Sequence, residues 1–168
     1  INKEIILEYR IGYAKNDFSS LHKYLLDKDT LNEDILLAGL IIKSEKKKNS
    51  YYDRYRDRII FPITNTYGKI VGFGGRVINE DDKPKYMNSP ETEIFHKGNL
   101  LFNYSNIKSP VKEIDNLVVV EGYMDAISLC SQGFKNVVAP LGTAMTERQL
   151  NLIWDLVDSP IVCFDGDK

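Results

Sequence analysis

The sequence predicts an α/β protein: a small mixed α+β N-terminal subdomain followed by a Rossmann-like, mostly parallel sheet. Three observations carry this. The C-terminal part reads strand, helix, strand, helix, strand with short connections, a pattern that calls for parallel strands and crossover helices. Its first strand, Leu117-Val-Val-Val120, is a continuous apolar run of the kind buried on both faces. The N-terminal part instead holds short helices, polar loops and a hairpin. The two domains are expected to span residues 1–113 and 114–168, with the change of character near Ile114.

Taken in order, Leu21–Leu26 and Glu33–Leu40 carry apolar residues three and four apart and read as helices, the second ending near Gly39. Lys43–Ser50 is a polar, lysine-rich loop. Arg58–Ile63 is a β-rich run, Asn65-Thr-Tyr-Gly68 a turn and Lys69–Phe73 the return strand, with Gly74-Gly75 and Arg76 just beyond it. Asn79–Lys85 is a second polar loop. After Leu117–Val120, Met124–Cys130 is helical by period and Gly133 ends it. Asn136–Ala139 is a short strand. Thr146 and Gln149 form a capping box for a helix running to Val157. Pro160 stops that helix, and Ile161–Phe164 is the last strand.

Of the 168 residues, 43% are hydrophobic and 27% charged, which excludes disordered, collagenous and coiled-coil chains. No apolar run is long enough for a membrane helix, so no membrane partner is expected. The chain opens on Ile1 without a signal peptide and reads as an internal piece of a longer cytoplasmic protein. Cys130 and Cys163 lack the spacing of a zinc site or a disulfide framework.

The net charge of −2 conceals an asymmetry. Lys43–Arg76 holds nine basic residues against three acidic, net +6, and Glu113–Lys168 three basic against nine acidic, net −6. The basic block suits a polyanion and the acidic block a divalent cation, unless both are simply solvated faces. In open parallel sheets, sites lie beyond the carboxyl ends of the strands. Glu121 directly follows one strand, and Asp165 and Asp167 directly follow another. Asp125 lies one helical turn past Glu121, as a further metal ligand or as a helix cap. Like charges gathered at one edge repel unless a cation neutralises them, and Mg²⁺ takes such oxygen ligands beside substrate phosphates.

Glu121-Gly-Tyr-Met-Asp125 followed by Asp165-Gly-Asp167 resembles the TOPRIM domain of primases, topoisomerases and some nucleases. The flanking segments Tyr52–Arg58, Ile60–Ile63, Val71–Arg76, Pro84–Thr92, Ile94–Lys97 and Leu141–Ala144 are similar to the DnaG-type bacterial primase family, in the family's order. The resemblance runs from about Ile11 to the last residue. It implies a basic N-terminal subdomain and a TOPRIM domain truncated at its C-terminal side. The implied activity is RNA polymerase: short RNA primers made from nucleoside triphosphates on single-stranded DNA template.

By the same resemblance, Glu121, Asp165 and Asp167 are the catalytic acids, and with Asp125 they hold Mg²⁺, for which Mn²⁺ substitutes. Glu121 is alternatively a general base. Arg54, Arg56, Arg58, Arg76, Lys85, Tyr86, Asn88 and Lys97 would meet nucleotide and nucleic acid, with Tyr86 stacking on a base. The other reading of Arg54, Arg56 and Arg58 is pairing with Asp53 and Asp57. The family further implies an RNA primer, a replicative helicase bound through a C-terminal domain, and a cytoplasmic, replisome-associated setting in bacteria. Its zinc ribbon, helicase-binding domain and remaining TOPRIM sheet are not in these residues, so the fragment alone is expected to be inactive or poorly stable. Two rivals remain: another TOPRIM enzyme, such as a nuclease or topoisomerase fragment, and a non-catalytic single-stranded-DNA-binding module.

Overall fold

A computed structural model describes residues 2–107, 116–142 and 144–166. The boundary expected at 113/114 falls on residues outside that set. The chain forms two compact units. One comprises Tyr9–Pro62 and Gly72–Phe95, the other Ile1–Glu8, Ile63–Val71 and His96–Lys168.

The first unit is built on the sheet β1 (Gly12–Ala14), β4 (Arg58–Thr64), β5 (Ile70–Val77) and β6 (Tyr86–Asn88), in that spatial order. A ribbon of β2 (Ile41–Lys43) and β3 (Tyr51–Asp53) and the helices α2 (Ser20–Leu26) and α3 (Asn32–Leu37) complete it. β1, β2, β3 and β6 are three residues each, too short to show a period, and the sequence gives no sign of them. The chain shows where a proline fits in β4: β1 pairs only as far as Ile60, so Pro62 lies past the end of that ladder.

β5 continues through Gly74-Gly75-Arg76, where the sequence reading stopped the strand at Phe73. The glycines serve packing. A Cβ on Gly72 would lie 2.5 Å from the buried Phe95 ring, and one on Gly75 would lie 2.9 Å from Tyr55 and 3.2 Å from the Arg58 stem. An aromatic ring and an arginine stem of the same unit occupy the room above Gly75.

The second unit contains a sheet in the order β10 (Ile161–Cys163), β8 (Val118–Val120), β9 (Val137–Pro140), β7 (Leu101–Phe102). β8 is parallel to both β10 and β9, and β7 joins antiparallel at Leu101↔Pro140. The helices α4 (Tyr123–Ser131) and α5 (Glu147–Trp154) are the crossovers, and α1 (Lys3–Glu8) also belongs to this unit. Leu117, Val119 and Val138 pack with Leu152, Ile153 and Leu156 from α5 and the turn after it. Ala126 and Ile127 of α4 are also buried, as the helical period requires. The capping box at α5 is present in both directions. α5 ends at Trp154, short of the expected Val157. Ile161 and Val162 of β10, at the sheet edge, are half exposed, unlike Val119 and Val120 of β8 and all of β9, which are buried. No helix among the described residues is long and apolar enough to cross a membrane.

Candidate functional site

Parallel neighbours end at the same edge, so the residues that leave β8 and β10 are brought side by side. Cys163 pairs with Val120, and the next residues are Phe164 and Glu121. Glu121 Oε2 accepts the backbone N–H of Asp165 at 3.2 Å. Both acids are exposed. A backbone donor aimed at a carboxylate holds its orientation. Asp167 lies outside the described residues, as does Thr143 of the Leu141–Ala144 segment.

Asp125 is four residues from Glu121 and engaged differently. Its Oδ2 accepts the N–H of Gly122, the residue that opens α4, at 3.1 Å. Gly122 has no side chain with which to return the bond, so this is one half of a capping box. Among the described residues, no group of three or more His, Cys, Asp or Glu side chains is arranged to hold a metal ion. The pair Glu121 and Asp165 supplies exposed carboxylate oxygens, the donor type a hard divalent cation takes, and Mg²⁺ is commonly held by one or two such carboxylates with water and phosphate completing its shell.

Arg76 of β5 and Arg54, which precedes β4, both meet residues of β6. Arg76 pairs with Tyr86 across the strands, and its guanidinium lies 5.9 Å from the Tyr86 ring centre. Arg54 Nη2 donates to the Asn88 carbonyl at 3.2 Å. The Nε atoms of Arg54 and Arg76 are buried with no hydrogen-bond partner among the described residues. Buried charged donors in that state suit an anionic ligand. Lys85 is exposed beside Tyr86. Lys97 is also exposed, but it belongs to the second unit, with Glu121 and Asp165.

Arg56 and Arg58 are placed differently from each other. Arg58 is 6% exposed and donates to the Pro84 carbonyl at 2.8 Å, so it braces the loop before β6 from inside. Arg56 donates to the Asp53 carbonyl and lies 4.9 Å from the Phe18 ring and 5.2 Å from the Tyr52 ring. Phe18 is 69% exposed and was absent from the sequence reading, because its partner in stacking is 38 residues away in the chain.

The carboxylates of Asp53 and Asp57 have other partners than the nearby arginines. Asp53 is buried and accepts the N–H groups of Leu21 at 2.7 Å and His22 at 2.9 Å, which caps α2 from a distant strand. Asp57 accepts the Tyr13 hydroxyl at 2.7 Å. Under the sheet, Tyr55 donates to the Phe73 carbonyl at 2.8 Å and meets Ser89 Oγ at 3.1 Å. Burial pushes the Tyr55 phenol above its usual range, against the opposing pull of Ser89, Arg54 and Arg58.

Comparison with known proteins divides the chain by sequence. Residues 1–108 match the family model of the DNA primase catalytic core, N-terminal domain, and residues 118–168 match a Toprim-like model. The chain is 44% identical over 169 aligned positions to a DNA primase of Pseudomonas putida, covering 100% of this chain and 25% of that one. It is similar to the crystal structure of a DNA primase domain from Pseudomonas aeruginosa, with TM-score 0.89 and 42% identity, covering 100% of this chain and 52% of that one. It is also similar to a DnaG primase catalytic domain bound to single-stranded DNA, with TM-score 0.87 and 37% identity, covering 99% and 53%. The chain thus spans about a quarter of the length of the curated relative and about half of those solved chains.

Proposed function

The chain belongs to the DNA primase catalytic-core family, and from that membership we propose that it takes part in template-directed synthesis of short RNA primers from nucleoside triphosphates on single-stranded DNA. The 3′-hydroxyl oxygen of the growing primer bonds to the α-phosphorus of the incoming nucleotide. The bond to pyrophosphate breaks, and the hydroxyl proton is lost. Mg²⁺, or Mn²⁺ in its place, would be held by Glu121 and Asp165, with Asp167 as a further carboxylate; when bound it orients phosphates and neutralises developing charge. Glu121 and Asp165 leave the sheet at the same edge. Arg54, Arg56, Arg76, Lys85 and Lys97 bind phosphates of the template and the triphosphate, and Tyr86 offers a ring for stacking. The setting is the cytoplasm, at the replication fork.

The observation that carries this reading is the Glu121–Asp165 hydrogen bond, which joins acids 44 residues apart at the ends of parallel neighbours. The match of residues 1–108 to a primase N-terminal domain favours it over a nuclease or topoisomerase fragment. The test is primer synthesis by the native protein carrying Asp165→Asn, on single-stranded DNA with nucleoside triphosphates and Mg²⁺. Synthesis is expected to fall by about 100-fold or more while the thermal transition is unchanged. Wild-type synthesis by the folded variant refutes the assignment.

A further inference from the structure

Residues Lys97–Asn99 form a single 3-10 turn that is fastened to the start of α5. The Gln149 side chain is 1% exposed, and its Nε2 donates to the Lys97 carbonyl at 3.0 Å and to the Leu100 carbonyl at 2.8 Å. Its Oε1 accepts the Thr146 N–H at 3.0 Å, so both protons and the oxygen of the amide are used. Thr146 Oγ1 donates to the Gly98 carbonyl at 2.6 Å. The approach is close: a Cβ on Gly98 would lie 3.3 Å from Thr146 Cγ2.

A capping box needs only an acceptor at this third helical position, and Glu serves there as well as Gln. A glutamate has no protons for the two carbonyls. The amide therefore does something the cap alone does not require: it fixes the backbone on either side of Gly98. Among the cations read as phosphate-binding, Lys97 is the one in the compact unit that carries Glu121 and Asp165. We propose that Gln149 and Thr146 are positioning residues for Lys97, holding its backbone so that the side chain leaves from a fixed point when it meets the triphosphate of the incoming nucleotide. This rests on the primase reading above, and it adds residues that never touch the substrate.

The test is a double-mutant cycle in the native protein, with kcat and KM for the nucleoside triphosphate as readouts. Lys97→Ala is expected to raise KM about tenfold, and Gln149→Met about fivefold alone but less than about twofold when Lys97 is already Ala. Thr146→Ser, which keeps the hydroxyl, is expected to retain the wild-type KM. If Gln149→Met fails to fold, Thr146→Val is run through the same cycle. A merely structural role gives effects that multiply, and multiplication beside a damaging Lys97→Ala overturns the positioning proposal alone. A harmless Lys97→Ala overturns the assignment of Lys97 to the triphosphate and the proposal with it.

Discussion

Glu121 reaches across to the next strand, while Asp125, one turn later, folds back on its own helix. Two acids in one short motif therefore have separate work in this structure, and spacing alone could not divide it. Asp125→Ala removes the cap of Gly122 and is expected to cost about 1 kcal/mol, read as a lower urea midpoint. Tyr55 gives a prediction in pH. Its folded-state value is raised, so the stability it contributes is complete below about pH 10 and is lost as pH rises through the raised value. The wild-type protein should lose stability above about pH 10, and Tyr55→Phe should lose less over the same interval, measured by urea unfolding at each pH. Equal alkaline losses in the two proteins would show that this phenol is not what titrates. Arg58 marks the limit of residue-level reading. In sequence it looks like its neighbours Arg54 and Arg56, and only a carbonyl 26 residues onward explains why it is buried.

Elements with a strong local signal were legible. The capping residues Thr146 and Gln149, the apolar run ending at Val120 and the turn at Asn65–Gly68 each act within a few residues of themselves. Strands of three residues carry no such signal, and their existence depends on partners far along the chain. The glycines of β5 are visible in the sequence, but sequence does not show what lies above a strand. Phe95 and Tyr55 lie there. Gly72→Ala must displace a buried ring and is expected to destabilise the protein by about 1–3 kcal/mol in urea unfolding. Combining it with Phe95→Leu, which frees space, should cost less than the sum of the two single changes. Full additivity would mean that the ring is not what excludes the methyl group.

On the scale of the whole molecule, the charge asymmetry becomes informative once residues are placed. The net +6 of Lys43–Arg76 includes Arg58, turned inward onto the Pro84 carbonyl, so the count overstates the cations open to a polyanion. Single-stranded DNA binding should weaken with salt. Lys85→Ala should lessen the slope of log K against log salt by about 0.7, the share of one phosphate contact. An unchanged slope would remove Lys85 from the interface. The account turns on whether Glu121 and Asp165 serve one cation. Mn²⁺ binding to the native protein in the presence of a nucleoside triphosphate, followed by electron paramagnetic resonance, addresses that directly. Glu121→Gln and Asp165→Asn are each expected to weaken binding about tenfold or more with the fold intact; Mn²⁺ affinity equal to wild type in both folded variants would contradict the account.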